Sequence, residues 1–290
     1  MAAGKWRTGP GRALRPRTGL RWRARVATAS LRPLPDFVII GAMRAGTTSL
    51  YEYLNAEPRI RPAERKEIHY FDLQRHRPVE WYRAHFPLAL PWRKRRWLAG
   101  EATPYLLFDP TAPERVTAAL PSSSRFVALL RDPVERAFSH WRGAVRLGVE
   151  PLSLAEAAAA EPGRLEAARL AAKGQDPHTL KEFRHMTYLA RGEYVEQLER
   201  WIAAAGRSRL LIVQSERLFR EPAAVVREVV QWLGASPRAS DDATFTVFNP
   251  GHEEHMPEDT RQLLARHFAP FNERLYALLG TRYDWTAPAE

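Results

Sequence analysis

Four short apolar runs are spaced along the chain and are separated by longer stretches of mixed polarity. They are Phe37–Ile40, Trp97–Ala99, Phe126–Leu130 and Leu210–Val213. Each run is short, and each is rich in β-branched residues or flanked by turn residues. This pattern is typical of strands that are buried on both faces of a parallel sheet.

Apolar residues recur at helical spacing in the stretches between these runs. Strands that alternate with helices in this way predict a parallel sheet with helices on both faces. The C-terminal segment has a similar apolar face, and we expect it to form two helices. The predicted helices are Thr47–Asn55, Pro133–Arg146, Glu193–Ala205 and Ala223–Leu233, followed by the pair within Pro257–Leu279.

Two stretches fall outside this alternation. Residues 61–96 are dense in charged and aromatic side chains, and residues 150–190 contain an alanine-rich helical segment followed by turn residues. We expect both to be insertions over the carboxyl ends of the strands, where α/β enzymes bind their ligands.

The positive charge of the chain is concentrated at its start. The formal net charge is +11, and residues 1–35 hold nine arginine or lysine residues and no acidic residue. We interpret residues 1–34 as a basic disordered arm and residues 35–286 as one domain. The arm could touch nucleic acid or anionic lipid, but a solvated tail is the simpler interpretation, so a nucleic-acid partner is not expected.

The composition excludes several kinds of site. The chain of 290 residues has no cysteine, which excludes disulfides, thiolate metal sites and cysteine nucleophiles. No apolar stretch approaches the roughly 18 residues of a membrane span, and the arm lacks the apolar core of a secretory signal. We therefore expect a cytoplasmic protein without a transmembrane segment.

A glycine-containing loop joins the first predicted strand to the first predicted helix. Its glycines let the backbone wrap around an anion, its hydroxyl groups can donate, and the helix N-terminus favours negative charge. An ATP-binding loop has lysine where this chain has Thr47, which argues against triphosphate chemistry. The expected anion-binding residues are Gly41, Arg44, Ala45, Gly46, Thr47, Thr48 and Ser49.

A second motif begins at the end of the strand Phe126–Leu130. Asp132 can cap the next helix, and Pro133 suits its first position. Ser139 lies about two turns into the helix, so it can converge with Arg131 on one side. Because an arginine fork with a hydroxyl can hold a phosphate dianion, the two motifs together suit a ligand with a 5′ and a 3′ phosphate.

The chain resembles the sulfotransferases that use 3′-phosphoadenosine-5′-phosphosulfate (PAPS). It is most similar to the heparan sulfate N- and 3-O-sulfotransferase branch and its bacterial relatives. The resemblance covers roughly residues 36–285 and runs in order along them. It rests on Gly41–Ser49, Lys66–Asp72, Gly100–Tyr105, Leu130–Trp141, Gly192–Trp201 and Asn272–Tyr276.

The resemblance implies a fold, a reaction and roles for individual residues. It implies an α/β fold with a three-layer, P-loop-like parallel sheet, and sulfuryl transfer from PAPS to an acceptor hydroxyl or amine. The acceptor is expected to be a glycan or a small metabolite, the product nucleotide is 3′,5′-ADP, and no metal is required. The implied roles are 5′-phosphosulfate binding by Gly41–Ser49, 3′-phosphate binding by Arg131 and Ser139, catalysis by Glu67 as general base with Arg44 and His69, and acceptor binding by Lys66, His69, Asp72 and Glu101.

Three features depart from the family pattern. Arg44 stands where the family commonly has lysine, and Ala102 stands where the 3-O branch has lysine. The C-terminal Lys-Gly-Arg segment that often closes over the nucleotide is not evident, and Asn249–His252 occupies its place. Glu67 has a simpler interpretation as a partner of Lys66 or Arg65 in a surface ion pair.

Besides a pseudo-enzyme that only binds a PAPS-like ligand, two other functions remain open from the sequence. One is a P-loop kinase that acts on a small molecule, which would require Mg²⁺. The other is a nucleic-acid-binding protein that uses the basic arm. His252 and His255 with their glutamate neighbours suggest a metal site, but a solvated loop fits their spacing better.

Overall fold

The first strand, β1, spans Phe37–Gly41, and all five of its residues are buried. It lies in the middle of a five-stranded sheet with the order β2-β3-β1-β4-β5, in which every neighbouring pair is parallel. The other strands are β2 (Ile60–Pro62), β3 (Leu98–Ala102), β4 (Arg125–Leu130) and β5 (Leu210–Gln214). The computed structural model describes residues 19–89, 97–238, 245–246, 248 and 255–286.

Helices flank this sheet, and α2 packs against α10 while α8 packs against α4 and α11. No helix in the described part of the chain is both long and apolar enough to span a bilayer. The helices are α1 (Leu20–Ala27), α2 (Thr47–Asn55), α3 (Val79–Arg83), α4 (Ala112–Ala119), α5 (Pro133–Arg146), α6 (Leu154–Ala171), α7 (Lys181–His185), α8 (Tyr194–Ala205), α9 (Ser215–Arg220), α10 (Pro222–Trp232) and α11 (Glu258–Leu279).

The predicted α/β architecture is confirmed, and one strand is added to it. Each of the four predicted runs overlaps a strand, and β2 joins the edge of the sheet beside β3. Its three residues include Arg61 and Pro62, so it lacks the apolar run that marks the other strands. Proline is tolerated at a sheet edge, where its missing N–H breaks no ladder.

The prediction of two C-terminal helices is wrong, because α11 is one helix that contains Pro270. Proline removes one helical hydrogen bond and would normally break or kink the helix. Residues on both sides of Pro270 are buried, among them Leu264, Phe268 and Leu275. Burial of this continuous face offsets the loss of the hydrogen bond.

The structure also differs from the prediction of disorder over residues 1–34. Residues 1–18 lie outside the described residues, but Leu20–Ala27 forms α1. Arg25 of this helix donates to the carbonyl oxygens of Ala84 and Phe86 at 2.6 and 2.9 Å, and it pairs with Glu64 at 3.1 Å. These partners hold the segment that charge alone marks as a solvated arm.

The two insertions meet each other beside the sheet. Arg75 of the first insertion pairs with Asp176 of the second at 2.5 Å. The N–H of Glu67 donates to the carbonyl oxygen of Ala102 at the end of β3, next to β1. The first insertion therefore lies at the carboxyl ends of the central strands, as predicted.

Candidate functional site

The loop after β1 is shaped by two glycines. Gly46 has a φ of 86° immediately before α2, and a Cβ atom there would lie 2.8 Å from the ring of Phe219. A Cβ atom on Gly41 would lie 2.4 Å from the Cβ of Leu107. Only glycine fits either position, so the backbone can turn tightly into the start of α2.

The first turn of α2 supplies the donors for an anion. It contains Thr47, Thr48 and Ser49, and within the described residues no side chain caps it. Ser49 Oγ accepts the N–H of Phe248 at 3.2 Å, and the carbonyl oxygen of Ala45 accepts Ser215 Oγ at 2.8 Å. Ser49 and Ala45 therefore fix the loop, while the Thr48 hydroxyl and the N–H groups of the turn suit an anion.

Arg44 brings the two sequence motifs together. Its guanidinium donates to the carbonyl oxygen of Ser139 at 2.8 and 3.1 Å and to the Ser139 hydroxyl at 3.2 Å. Its backbone has a φ of 73°, a conformation that non-glycine residues rarely adopt. The loop after β1 and the helix α5 thus face one common site.

The electrostatic environment of Arg44 is strongly positive. Burial lowers the pKa of Arg44 to about 10, and further positive charge comes from Arg146, Arg131, Arg136 and Arg142. A cluster of arginines is destabilised by mutual repulsion until an anion neutralises it. The arrangement suits a ligand with several negative charges.

Arg131 and Ser139 both contact Arg44. Arg131 donates to the carbonyl oxygen of Arg44 at 3.4 Å and pairs with Glu135 at 3.6 Å, and 31% of its side chain is exposed. Asp132 caps α5 by accepting the N–H of Val134 at 2.8 Å. The capped helix fixes Arg131 beside the loop, where its guanidinium can reach a second phosphate.

Two exposed aromatic rings lie beside the same loop. Among the residues that the structure describes, only Phe219 and Phe248 are exposed aromatic side chains, each at 40%. The Phe219 ring faces Gly46, and the Phe248 backbone is bonded to Ser49. Exposed rings beside a phosphate-binding turn provide a stacking surface for a planar base.

A row of side chains with alternating charge, the charged row, lies at the end of β3. Lys66 Nζ is 2.7 Å from Glu67 Oε1, and Glu67 Oε2 is 3.5 Å from His69 Nε2. The other ring nitrogen, His69 Nδ1, is 2.8 Å from Asp72 Oδ2. Glu67 and His69 have φ values of 58° and 57°, so the turn itself is strained around this contact.

The contacts within the charged row determine the protonation states of Glu67 and His69. Burial would raise the pKa of Glu67, but the charges of Lys66 and His69 outweigh burial and hold it below its usual range. Burial lowers the pKa of His69, but Asp72 and Glu67 outweigh it and raise the pKa to about 9. At neutral pH His69 therefore carries a proton and Glu67 is ionised. The Glu67 side chain is 43% exposed, so it can meet an acceptor.

Two further arginines complete the site, Arg184 in the second insertion and Arg191 directly after it, and neither was predicted. Arg184 donates both terminal nitrogens to Asp72 Oδ2 at 3.1 Å and lies 3.9 Å from the Tyr105 ring centre. Arg191 is buried, stacks 4.7 Å from the same ring and contacts the Met43 sulfur at 3.6 Å. No spacing in the sequence connects these arginines to Asp72 or Met43, so only the fold reveals them.

Glu101 differs from the cleft-lining position that the resemblance implies. Its side chain is fully buried, and neither carboxylate oxygen has a well-formed hydrogen bond among the described residues. Burial raises its pKa to about 8, although His69 and the nearby Tyr82 and Thr103 act in the opposite direction. Glu101 is buried beneath the charged row and is not within reach of an acceptor.

Some sequence predictions fall on residues that are outside the described part of the chain. They include the segment Asn249–His252, which was expected at the place of the Lys-Gly-Arg segment, and His252, Glu253 and Glu254 of the suggested metal cluster. Phe248 is the last described residue before them.

Comparisons with known proteins identify the family and support the fold. The family described as "Sulfotransferase domain" matches residues 34–249. The crystal structure of a sulfotransferase from Alicyclobacillus acidocaldarius is 28% identical and superposes with a TM-score of 0.68, covering 86% of this chain and 97% of that one.

Similar curated proteins come from the same family. A membrane-associated sulfotransferase of Dictyostelium discoideum is 26% identical over 87% of this chain, and a heparan sulfate N-deacetylase/N-sulfotransferase of Mus musculus is 30% identical over 75%. A heparan sulfate glucosamine 3-O-sulfotransferase of Homo sapiens is 26% identical over 95%. The matches span 66%, 24% and 84% of those proteins, respectively.

Proposed function

Because the chain belongs to the sulfotransferase domain family, we propose that it transfers the sulfuryl group of PAPS to a hydroxyl or amine of an acceptor. The observation that carries the proposal is the contact of Arg44 with Ser139, which joins two anion-binding motifs into one site. PAPS has anionic groups at both its 5′ and its 3′ position, and the site offers positive charge and donors for each.

The proposed nucleotide site uses three parts of the fold. The first turn of α2 binds the 5′-phosphosulfate through its N–H groups and the Thr48 hydroxyl. Arg131 and Ser139 bind the 3′-phosphate, which a guanidinium and a hydroxyl hold well. The adenine stacks against Phe219 and Phe248, the two exposed rings beside the loop.

In the proposed reaction, the acceptor oxygen or nitrogen attacks the sulfur in line with the bond to the 5′-phosphate. A bond from the acceptor to sulfur forms, the bond from sulfur to the bridging oxygen breaks, and 3′,5′-ADP leaves. Glu67 takes the proton of the acceptor. Arg44 stabilises the charge on the bridging oxygen, for which its guanidinium must turn away from Ser139.

His69 has a supporting role in this mechanism. Because its pKa is raised to about 9, it is protonated at neutral pH and is a poor base. Its Nε2 proton is directed at Glu67 Oε2, so it orients the carboxylate that accepts the proton. Lys66 contacts the other oxygen of Glu67 in the same way.

We propose a glycan or a small metabolite as the acceptor. The support is the similarity to heparan sulfate N- and 3-O-sulfotransferases, which act on amine and hydroxyl groups of a glycan by their names. Ala102 at the lysine position of the 3-O branch indicates that the acceptor contacts are different here. Screening acceptors with radiolabelled PAPS and measuring product mass identifies the acceptor.

The same assay separates this function from a kinase. We expect transfer to continue in EDTA, because the cation at the leaving group is Arg44. Transfer of phosphate from ATP that EDTA abolishes and Mg²⁺ restores would contradict the proposal. Thr47 at the position of the kinase lysine supports the sulfotransferase.

The structure sharpens the test of the nucleic-acid alternative. Deletion of residues 1–34 would remove α1, which packs on the domain. Deletion of residues 1–18 removes five of the positive charges and leaves α1 in place. Nucleic-acid binding that this shorter deletion abolishes would favour the alternative.

A further inference from the structure

Arg184 connects the second insertion to the charged row at the end of β3. It comes from α7, more than a hundred residues after Asp72 in the sequence. Both of its terminal nitrogens donate to Asp72 Oδ2 at 3.1 Å, and one of them lies 3.4 Å from His69 Nδ1. Asp72 Oδ2 thus contacts both His69 and Arg184.

The surroundings of Arg184 restrict it to this position. Only 12% of its side chain is exposed, and its guanidinium lies 3.9 Å from the centre of the Tyr105 ring. The Asp72 side chain is 2% exposed, and its Oδ1 has no hydrogen-bond partner among the described residues. Oδ2 therefore accepts the side-chain contacts that orient this carboxylate, and Arg184 supplies two of them.

A second ion pair shows that Arg184 is not needed merely to join the insertions. Arg75 and Asp176 already link them at 2.5 Å, with side chains 37% and 20% exposed. That pair does not touch Asp72, His69 or Glu67. It therefore provides a matched control for any effect of tethering alone.

We infer that Arg184 is a positioning residue that holds Asp72 against His69, and through His69 orients the proton-accepting carboxylate of Glu67. The inference rests on the proposed function. A guanidinium is needed because two of its nitrogens meet one oxygen while its plane stacks on Tyr105. A lysine ammonium at this position keeps the charge but has no plane to stack.

Four titratable or charged groups face His69 and determine how it responds to a change at Arg184. Glu67 and Asp72 lie on its own segment, Arg184 comes from α7, and Glu101 comes from β3. Asp72 raises the pKa of His69, so an Asp72 carboxylate that Arg184 no longer holds stabilises the protonated imidazole less. The pKa of His69 should therefore fall in Arg184→Lys, which keeps the positive charge but does not hold Asp72 in place.

The experiment compares Arg184→Gln, Arg184→Lys and the control Arg75→Gln in the full chain. Steady-state kinetics measure kcat and KM, calorimetry measures the Kd of 3′,5′-ADP, and NMR of the imidazole measures the pKa of His69. We expect kcat to fall about 10- to 100-fold in both Arg184 variants, as for a misplaced catalytic group. We expect the Kd of 3′,5′-ADP to stay unchanged and the pKa of His69 to fall in Arg184→Lys, because Asp72 is no longer held against the imidazole.

The outcomes separate the inference from its alternatives. A wild-type kcat in Arg184→Lys would mean that charge alone matters and would overturn the positioning role. The same kcat and His69 pKa in Arg184→Gln and Arg75→Gln would overturn it too. If Arg184→Gln does not fold, the lysine variant decides.

Failure of the proposed function has a different signature. In that case the wild-type chain transfers no sulfuryl group to any acceptor, whatever the Arg184 variants do. The His69 titration then still reports on the linkage, because NMR needs no turnover. An unchanged His69 pKa in Arg184→Lys would overturn the inference, and a lowered one would support it.

Discussion

Glu67 combines two properties that a proton acceptor in this site needs. Its side chain is 43% exposed and so accessible, and Lys66 and His69 hold its two oxygens. These cations keep it ionised, which lowers its basicity but guarantees that the acceptor meets a carboxylate at any physiological pH. Orientation compensates for the low pKa, because a fixed acceptor needs no reorganisation during transfer.

Replacing Glu67 by glutamine tests this role. Glu67→Gln keeps the shape and removes the base, so kcat should fall by roughly 10²–10⁴-fold. The Kd of 3′,5′-ADP should stay nearly unchanged, because the nucleotide contacts lie on the loop after β1 and on α5. Steady-state kinetics and calorimetry measure the two effects, and Glu80→Gln on the exposed face of α3 is the control. A mild effect on kcat would assign proton removal elsewhere.

The burial of Glu101 predicts an effect on the stability of the fold rather than on turnover. Its pKa of about 8 in the fold lies above the ordinary value of 4.5. The wild-type fold therefore has its full stability below the lower value and loses stability as the pH rises toward the upper one. Glu101→Gln stays neutral, so its melting temperature should exceed the wild-type value by an amount that grows from about pH 5 to about pH 9. Thermal denaturation across this range measures it, and a constant difference would show that Glu101 is already charged at low pH.

Replacing Phe219 tests whether its exposed ring stacks on the nucleotide base. Phe219→Ala should weaken binding of 3′,5′-ADP by about 1–3 kcal/mol, the usual contribution of one stacked base. Binding of a ribose 3,5-bisphosphate that lacks the base should not change. Calorimetry with both ligands measures the difference, with Leu263→Ala, another exposed apolar residue, as the control. Equal losses for both ligands would mean that Phe219 only supports the loop.

The sequence predicts some of these residues and not others, for a physical reason. Arg44, Glu67 and Ser139 belong to short motifs whose local spacing survives in the fold. Arg184 acts through a contact between two insertions, which no local pattern encodes. The burial of Glu101 depends on what covers β3, so the sequence could place it on the strand but not beneath the site.

At the scale of elements, α1 shows how a basic segment becomes part of the fold. Trp22 packs edge-on against Trp81 at 6.2 Å and against His85 at 4.8 Å between ring centres. α3, which carries Trp81, follows the segment of Glu67 and His69 in the same insertion. α1 therefore braces the insertion through the Trp81 and His85 rings.

Removal of this brace should lower stability before it affects chemistry. Trp22→Ala should reduce the free energy of unfolding by about 1–3 kcal/mol, the range for lost aromatic packing at a partly buried site. Deletion of residues 1–18 should leave the free energy of unfolding unchanged. Urea denaturation of both variants measures the difference. An unchanged free energy of unfolding in Trp22→Ala would mean that α1 does not pack on α3 in solution.

The elements that the sequence missed have weak local signals. β2 has three residues and includes a proline, so its place in the sheet follows from pairing with β3. α11 continues through Pro270 because both halves share one buried face. α1 forms where Arg25 finds carbonyl partners on another segment. In each case a tertiary contact overrides a local preference.

At the scale of the whole molecule, several arginines gather where the loop after β1 meets α5. Burial lowers the pKa of Arg44, and four other arginines lower it further. Their mutual repulsion destabilises the fold, and a ligand with two phosphates would relieve it. Ligand binding should therefore stabilise the whole domain.

Thermal denaturation with two nucleotides tests this linkage and the proposed donor site together. A ligand that binds only the folded state stabilises it by about 2.7 kcal/mol at a concentration of 100 times its Kd. We expect 3′,5′-ADP to raise the melting temperature more than 5′-AMP at equal concentration, because only the former can contact Arg131 and Ser139 with a 3′-phosphate. Arg131→Ala should cost about 1.5–3 kcal/mol of binding and reduce the effect of 3′,5′-ADP to that of 5′-AMP. Arg266→Ala, an exposed arginine on α11, should leave both shifts unchanged. Equal shifts for the two nucleotides in the wild-type chain would remove the 3′-phosphate from the site, and the proposed donor with it.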